Sequence, residues 1–225
     1  MRLRLSQAGK IARRVPFTLV MVAVLTVFAL ITDTIRAEIS AEWVWRLGFA
    51  PSDFWLLNWG RMVSSALVTS GGRLFWASIV MILVAVGGAE WLSGTLRTAL
   101  TFWGGHLAGL IIVSVVLVLP LAQTALADVP GMYTARDVGS SVGFVCCMGL
   151  LSARMPHPWR WILGITTLVA LVVLLFLPPP AGRDRSVYLS SALAHLVVFP
   201  LGWLASGIGR RAHPHRLTGA GTTPT

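Results

Sequence analysis

Residues 159–177 read WRWILGITTLVALVVLLFL, with a single charge, Arg160, near the start and Pro178, Pro179 and Pro180 immediately after. At about 1.5 Å per residue such a helix is about 28 Å long, close to the roughly 30 Å hydrocarbon core of a bilayer. The prolines supply no amide donor and cannot continue the helix, so they end it. Working outward, comparable apolar runs predict further helices at about 16–32, 74–91, 98–121, 138–153 and 187–206. The whole chain of 225 residues agrees: 56% is apolar, 12% is charged and the mean hydropathy is +0.77. A soluble domain could not cover so much apolar surface. The reading is an all-α polytopic membrane domain over 16–206, between a basic cytoplasmic N-terminus at 1–15 and a disordered cytoplasmic tail at 207–225.

Charge gives the orientation. With the N-terminus inside, eleven of the eighteen basic residues fall in inner segments, including Arg13, Arg14, Arg97, Arg154 and Arg160. Seven of the eight acids fall outside. The bias of Lys and Arg toward cytoplasmic loops therefore places both termini in the cytoplasm, with the plasma membrane the expected location. This also accounts for the net charge of +10 without nucleic acid, because no basic stripe is interleaved with aromatics. The basic start followed by an apolar run has the order of a signal peptide. Ile35, however, stands where a small residue would be needed for cleavage after Ala37, so the first run reads as an uncleaved span. The loop from Asp33 to Arg73 holds Trp43, Trp45, Phe49, Phe54, Trp55 and Trp59 among charges, and is expected to lie in the outer membrane interface.

Ionisable groups inside a span are costly and therefore informative. They are His106, His195 and Glu90, with Asp137 at the outer mouth of the fourth run. Glu90 reads as a structural partner of Arg97 or of the backbone at the inner turn. The fourth run opens DVGSSVGFVCCMG, rich in small residues, with Gly139 and Gly143 spaced for close helix approach. This predicts a packing helix surrounded by its neighbours. Cys146 and Cys147 are adjacent and apolar in context, so they read as packing residues and neither as a disulfide nor as a metal pair. Ser141 lies about 6 Å below Asp137, His195 about 12 Å below Val187, and His106 roughly 16 Å from the outer face. All three could meet in an outward-opening cavity. A serine there needs a base within hydrogen-bond reach to become nucleophilic. H-E-x-x-H, paired membrane aspartates and internal repeats are all missing, so neither a zinc or aspartyl protease nor a repeat-built transporter is expected, and no metal or cofactor is called for.

These residues resemble the rhomboid superfamily, in particular a divergent group of actinobacterial rhomboid-like membrane proteins. Gly139-Ser140-Ser141 is similar to the family's G-x-S nucleophile motif. Ala194-His195 with Gly202 is similar to its A-H-x-x-G-x-x-x-G motif, and Glu90, Gly94 and Arg97 match E-x-x-x-G-x-x-R. The resemblance covers roughly residues 60–205. It implies a six-helix rhomboid-like bundle and an intramembrane serine protease in which Ser141 attacks a peptide bond of a membrane-anchored substrate while His195 takes the proton. His106, Ser78 and Ser140 are the supporting residues, with His106 or Ser78 helping the Ser141 backbone N–H to hold the oxyanion. Val142 and Val198 stand where the family has glycines, and the H-x-x-x-N pair of the second helix is missing from 73–90. These departures imply an alternative: a catalytically inactive rhomboid-like protein that binds transmembrane segments as a scaffold or quality-control partner.

Overall fold

The structure is a computed structural model that describes residues 12–118, 120, 129–180 and 183–208. The basic segment before residue 12, the end of the third apolar run, the first part of the loop that follows it, and the tail from 209 lie outside the described residues. The described residues are predominantly helical, and among them extended pairing is confined to two isolated bridges, Glu38 with Gly71 and Phe49 with Asp137.

In chain order the helices are α1 (Pro16–Ile31), three short segments α2 (Ala41–Leu47), α3 (Pro51–Trp55) and α4 (Gly60–Ser64), then α5 (Arg73–Ser93), α6 (Thr95–Val118), α7 (Val129–Thr134), α8 (Ser141–Arg154), α9 (Trp159–Phe176) and α10 (Arg185–Ala205). Four of them, α5, α6, α9 and α10, are long and apolar enough to cross a membrane. Helices α1 and α8 are apolar but shorter, at 16 and 14 residues. Aliphatic and aromatic side chains stand outward along α1, α5 and α9, among them Leu30, Trp76, Ile165 and Val169. Such a continuous apolar exterior matches hydrocarbon as the surrounding solvent.

Helix α8 is the centre. Every residue from Val142 to Ala153 is buried, and the helix packs against α5, α6, α9 and α10. Small residues make that possible. The carbonyl of Phe199 lies where a Cβ on Gly149 would stand, and the carbonyl of Cys146 lies where one on Gly202 would stand, so α8 and α10 touch backbone to backbone. A Cβ on Gly143 would sit 2.7 Å from the Phe102 ring of α6. The packing role expected of the fourth run and of Cys146 and Cys147, both buried, is thus what the structure shows.

Glu90 is buried near the C-terminal end of α5. Its carboxylate accepts from the backbone N–H of Phe17 (2.9 Å) and of Thr18 (2.8 Å), and from the Thr18 hydroxyl (2.7 Å). Of the two structural partners expected for it, the backbone is the one seen, and it belongs to the start of α1 rather than to the inner turn. The first N–H groups of a helix have no intrahelical acceptor and carry the positive end of its dipole, so a buried carboxylate is best placed there. Gly94, at φ +83°, makes the turn from α5 into α6, and Arg14 stacks on Trp91 at 4.7 Å beside it.

Candidate functional site

The segment between α1 and α5 is fastened over the head of α8. Phe49 and Asp137 exchange backbone hydrogen bonds of 3.0 and 2.9 Å, and the N–H of Gly139 donates to the Ser65 carbonyl at 2.9 Å. Asp53 of α3, fully buried, accepts from the Ala50 N–H (3.0 Å), from Arg61 (3.1 Å) and from both terminal nitrogens of Arg136. Arg136 also donates to the Gly48 carbonyl and lies over the Trp45 ring at 4.6 Å. Burial works against the Asp53 carboxylate, but the Arg136 hydrogen bonds, the Ala50 N–H and the two guanidinium charges outweigh it and hold its pKa below the ordinary 3.8. Asp137 goes the other way: burial raises its pKa, and Arg183, the Val138 N–H and Ser191 only partly offset the shift. The sequence marked Asp53 only as one acid in an aromatic loop. Its partner Arg136 is 83 residues away, and no local signal joins the two.

Beneath this clasp lies a cavity of about 40 Å³, room for a few waters. Phe49 and Pro51 of the loop line it, with Asp137 and Ser141 at the head of α8, His106 and Ser114 of α6, Ser65, and Ser190, Ser191 and Ala194 of α10. Three of the sequence-predicted residues, Ser141, His106 and Gly139, are therefore brought together. His195 lies one turn below Ser191 but is not among the lining residues. Its Nε2 is buried without a partner. Ser78 stays on the N-terminal half of α5 and does not line the cavity, because α5 approaches α8 through its C-terminal half. Ser140 is fully buried beside Ser141 with its hydroxyl unpartnered. Among the described residues no hydrogen bond joins Ser141 to either histidine. The serines at 65, 114 and 191 were not singled out in the sequence. The spacing of Ser191 four residues before His195 is the signal that could have found one of them.

Depth follows from helix register. Cβ atoms on Gly105 and Gly109 would collide with Cys146 and Val142, so the backbone of His106, next to Gly105 on α6, stands opposite Val145, about one turn deeper than Ser141. On α10, Gly202 meets Cys146 and Ala194 shares the cavity with Ser141, which brings His195 to the level of Ser141. Ser141 is the first residue of α8, and its own N–H and those of Val142 and Gly143 are first-turn donors with no intrahelical acceptor. Such a cluster, at the positive end of the helix, suits a developing oxyanion. Helix α8, at 14 residues, is about 21 Å long, less than the roughly 30 Å hydrocarbon core. Among the described residues no group of three His, Cys, Asp or Glu side chains is placed to hold a metal ion. In comparisons with protein-family models, with curated proteins and with solved structures, nothing matches this chain.

Proposed function

We propose that the chain is a rhomboid-like membrane protein in which α1, α5, α6, α8, α9 and α10 form six spans, both ends being cytoplasmic, and that the cavity at the head of α8 is the active site of an intramembrane serine endopeptidase. The single observation that carries this reading is Ser141: a hydroxyl at the first position of a buried helix, facing a cavity that His106 also lines, beside first-turn backbone donors and level with His195. Ser141 attacks a carbonyl carbon of a membrane-anchored substrate, and a histidine at its depth takes the hydroxyl proton and returns it to the leaving amine. The sequence motif nominates His195 for that role.

A second reading is favoured by one specific feature, that Ser141 and His195 are not hydrogen-bonded and only the former lines the cavity. In it the same bundle binds transmembrane segments without cleaving them. Treating the detergent-purified protein with a fluorophosphonate separates the two. Modification of Ser141, located by peptide mass spectrometry and abolished in Ser141→Ala, supports the hydrolase. A folded parent that stays unmodified supports the binder.

A further inference from the structure

His106 is 1% exposed and carries one hydrogen bond, from Nε2 to the Met62 carbonyl at 2.9 Å. A carbonyl only accepts, so Nε2 holds the ring proton, and the neutral imidazole keeps its lone pair on Nδ1. Nδ1 is buried and has no partner. The ring is further held edge-on to Trp103 at 6.3 Å. A neutral imidazole in this tautomer has only an acceptor to offer at its free nitrogen. That rules it out as the oxyanion donor and leaves a base without a proton to take.

The hydroxyls of the cavity differ in what they are free to give. Ser65 donates to the Met62 carbonyl (3.2 Å) and Ser114 to the Leu110 carbonyl (2.7 Å). Ser191 is engaged with Asp137. Ser141 lines the same cavity as His106 and, like Ser190, makes no hydrogen bond among the described residues; of the two, Ser141 alone stands at the first position of α8, beside that helix's first-turn N–H donors.

Resting on the hydrolase reading, we infer that His106, rather than His195, is the proton acceptor for Ser141, its tautomer fixed by the Met62 carbonyl. As the bond from Ser141 Oγ to the substrate carbonyl carbon forms, the Oγ proton passes to His106 Nδ1. The resulting imidazolium keeps its Nε2–H on Met62. When the C–N bond breaks, the Nδ1 proton leaves on the amine. Water then attacks the acyl-serine, giving its proton to Nδ1, and the Ser141 oxygen takes that proton back as the acid departs. The Met62 carbonyl does here what a carboxylate does in a serine–histidine–aspartate triad, orienting the ring, though without a charge to stabilise the imidazolium.

The test is the rate of fluorophosphonate modification of Ser141 across pH, in which the Oγ–P bond forms, fluoride leaves and the proton goes to the base. It is run on the full chain in micelles for the parent, His106→Ala, His106→Gln and His195→Ala. Glutamine can still donate to the Met62 carbonyl but has no basic nitrogen, so it separates loss of the base from loss of the fold. The expected result is a fall of about 100-fold or more in both His106 variants, loss of the ionisation that governs the parent's pH profile, and partial rescue of His106→Ala by added imidazole. His195→Ala stays within about tenfold of the parent. A His106→Gln protein that labels like the parent, with labelling lost in His195→Ala, overturns the assignment and leaves the hydrolase standing. A folded parent that never labels removes the hydrolase, and the base role with it. Imidazole ¹⁵N shifts showing the proton of His106 on Nδ1 would overturn the assignment by themselves.

Discussion

Gly143 and Gly104 provide a matched pair of substitutions with opposite outcomes. Both are helical glycines, and replacing either by alanine removes the same backbone entropy cost, worth about 1 kcal/mol in favour of alanine. Around Gly104 nothing lies within 4 Å of the new methyl group. At Gly143 the methyl carbon would stand 2.7 Å from the Phe102 ring, whereas carbon atoms in contact settle at about 3.5–4.0 Å. The ring has nowhere to retreat, because Phe102 is fully buried between Phe17 (5.7 Å between centroids) and Trp103 (5.4 Å). Overpacking of this kind costs about 1–3 kcal/mol. Gly104→Ala should therefore unfold at a higher temperature or denaturant concentration than the parent, and Gly143→Ala should fall about 1–3 kcal/mol below Gly104→Ala. Gly143→Leu should fall further. Because one ring causes the clash, Phe102→Leu should restore most of what Gly143→Ala loses, a coupling of about 1 kcal/mol or more in the double-mutant cycle. Unfolding of purified protein in one detergent measures all of these. If Gly143→Ala is as stable as Gly104→Ala, or Phe102→Leu gives no relief, the placement of α8 against α6 is wrong.

Asp53→Asn leaves Arg136 beside a buried neutral partner and should cost about 3–5 kcal/mol, seen first as faster protease cleavage within residues 33–73. The same clasp should loosen in acid: the Asp53 pKa is lowered by folding, so its contribution is complete above about pH 4 and is lost as pH falls through the lower folded value. Cleavage of that loop in Asp53→Asn should not show this acid step. Glu90→Ala strands two N–H donors and one hydroxyl at the start of α1, and at about 1–3 kcal/mol for a buried unsatisfied group should lower unfolding stability by at least that much, with Glu90→Gln recovering part of it. Reporter fusions after Arg14 and Trp159 should read as cytoplasmic and a fusion near Asp53 as external. An external signal after Trp159 would undo the six-span arrangement.

What the sequence determined by itself is what depends on composition along a single helix. The six apolar runs were legible because a bilayer demands long stretches of apolar residues, and each run appears as a helix whose described limits lie within a few residues of those expected, from Pro16–Ile31 to Arg185–Ala205, the end of the third run lying outside the described residues. The burial of α8 was legible for the same reason, since a helix of Gly, Ser and Cys has little to offer lipid and much to offer close neighbours. Ser141 and His106 could be placed at compatible depths by counting residues from the helix ends. Only the tertiary structure decided what those residues face. Rotation about a helix axis and the register between helices are set by contacts such as Gly202 on the Cys146 carbonyl, which join positions 56 residues apart and leave no local trace. The same holds for Glu90, whose partner is the start of α1 and not Arg97, seven residues on at the start of α6. It holds also for Asp53, whose burial depends on Arg136, and for His106, whose tautomer is fixed by a carbonyl 44 residues earlier in the chain.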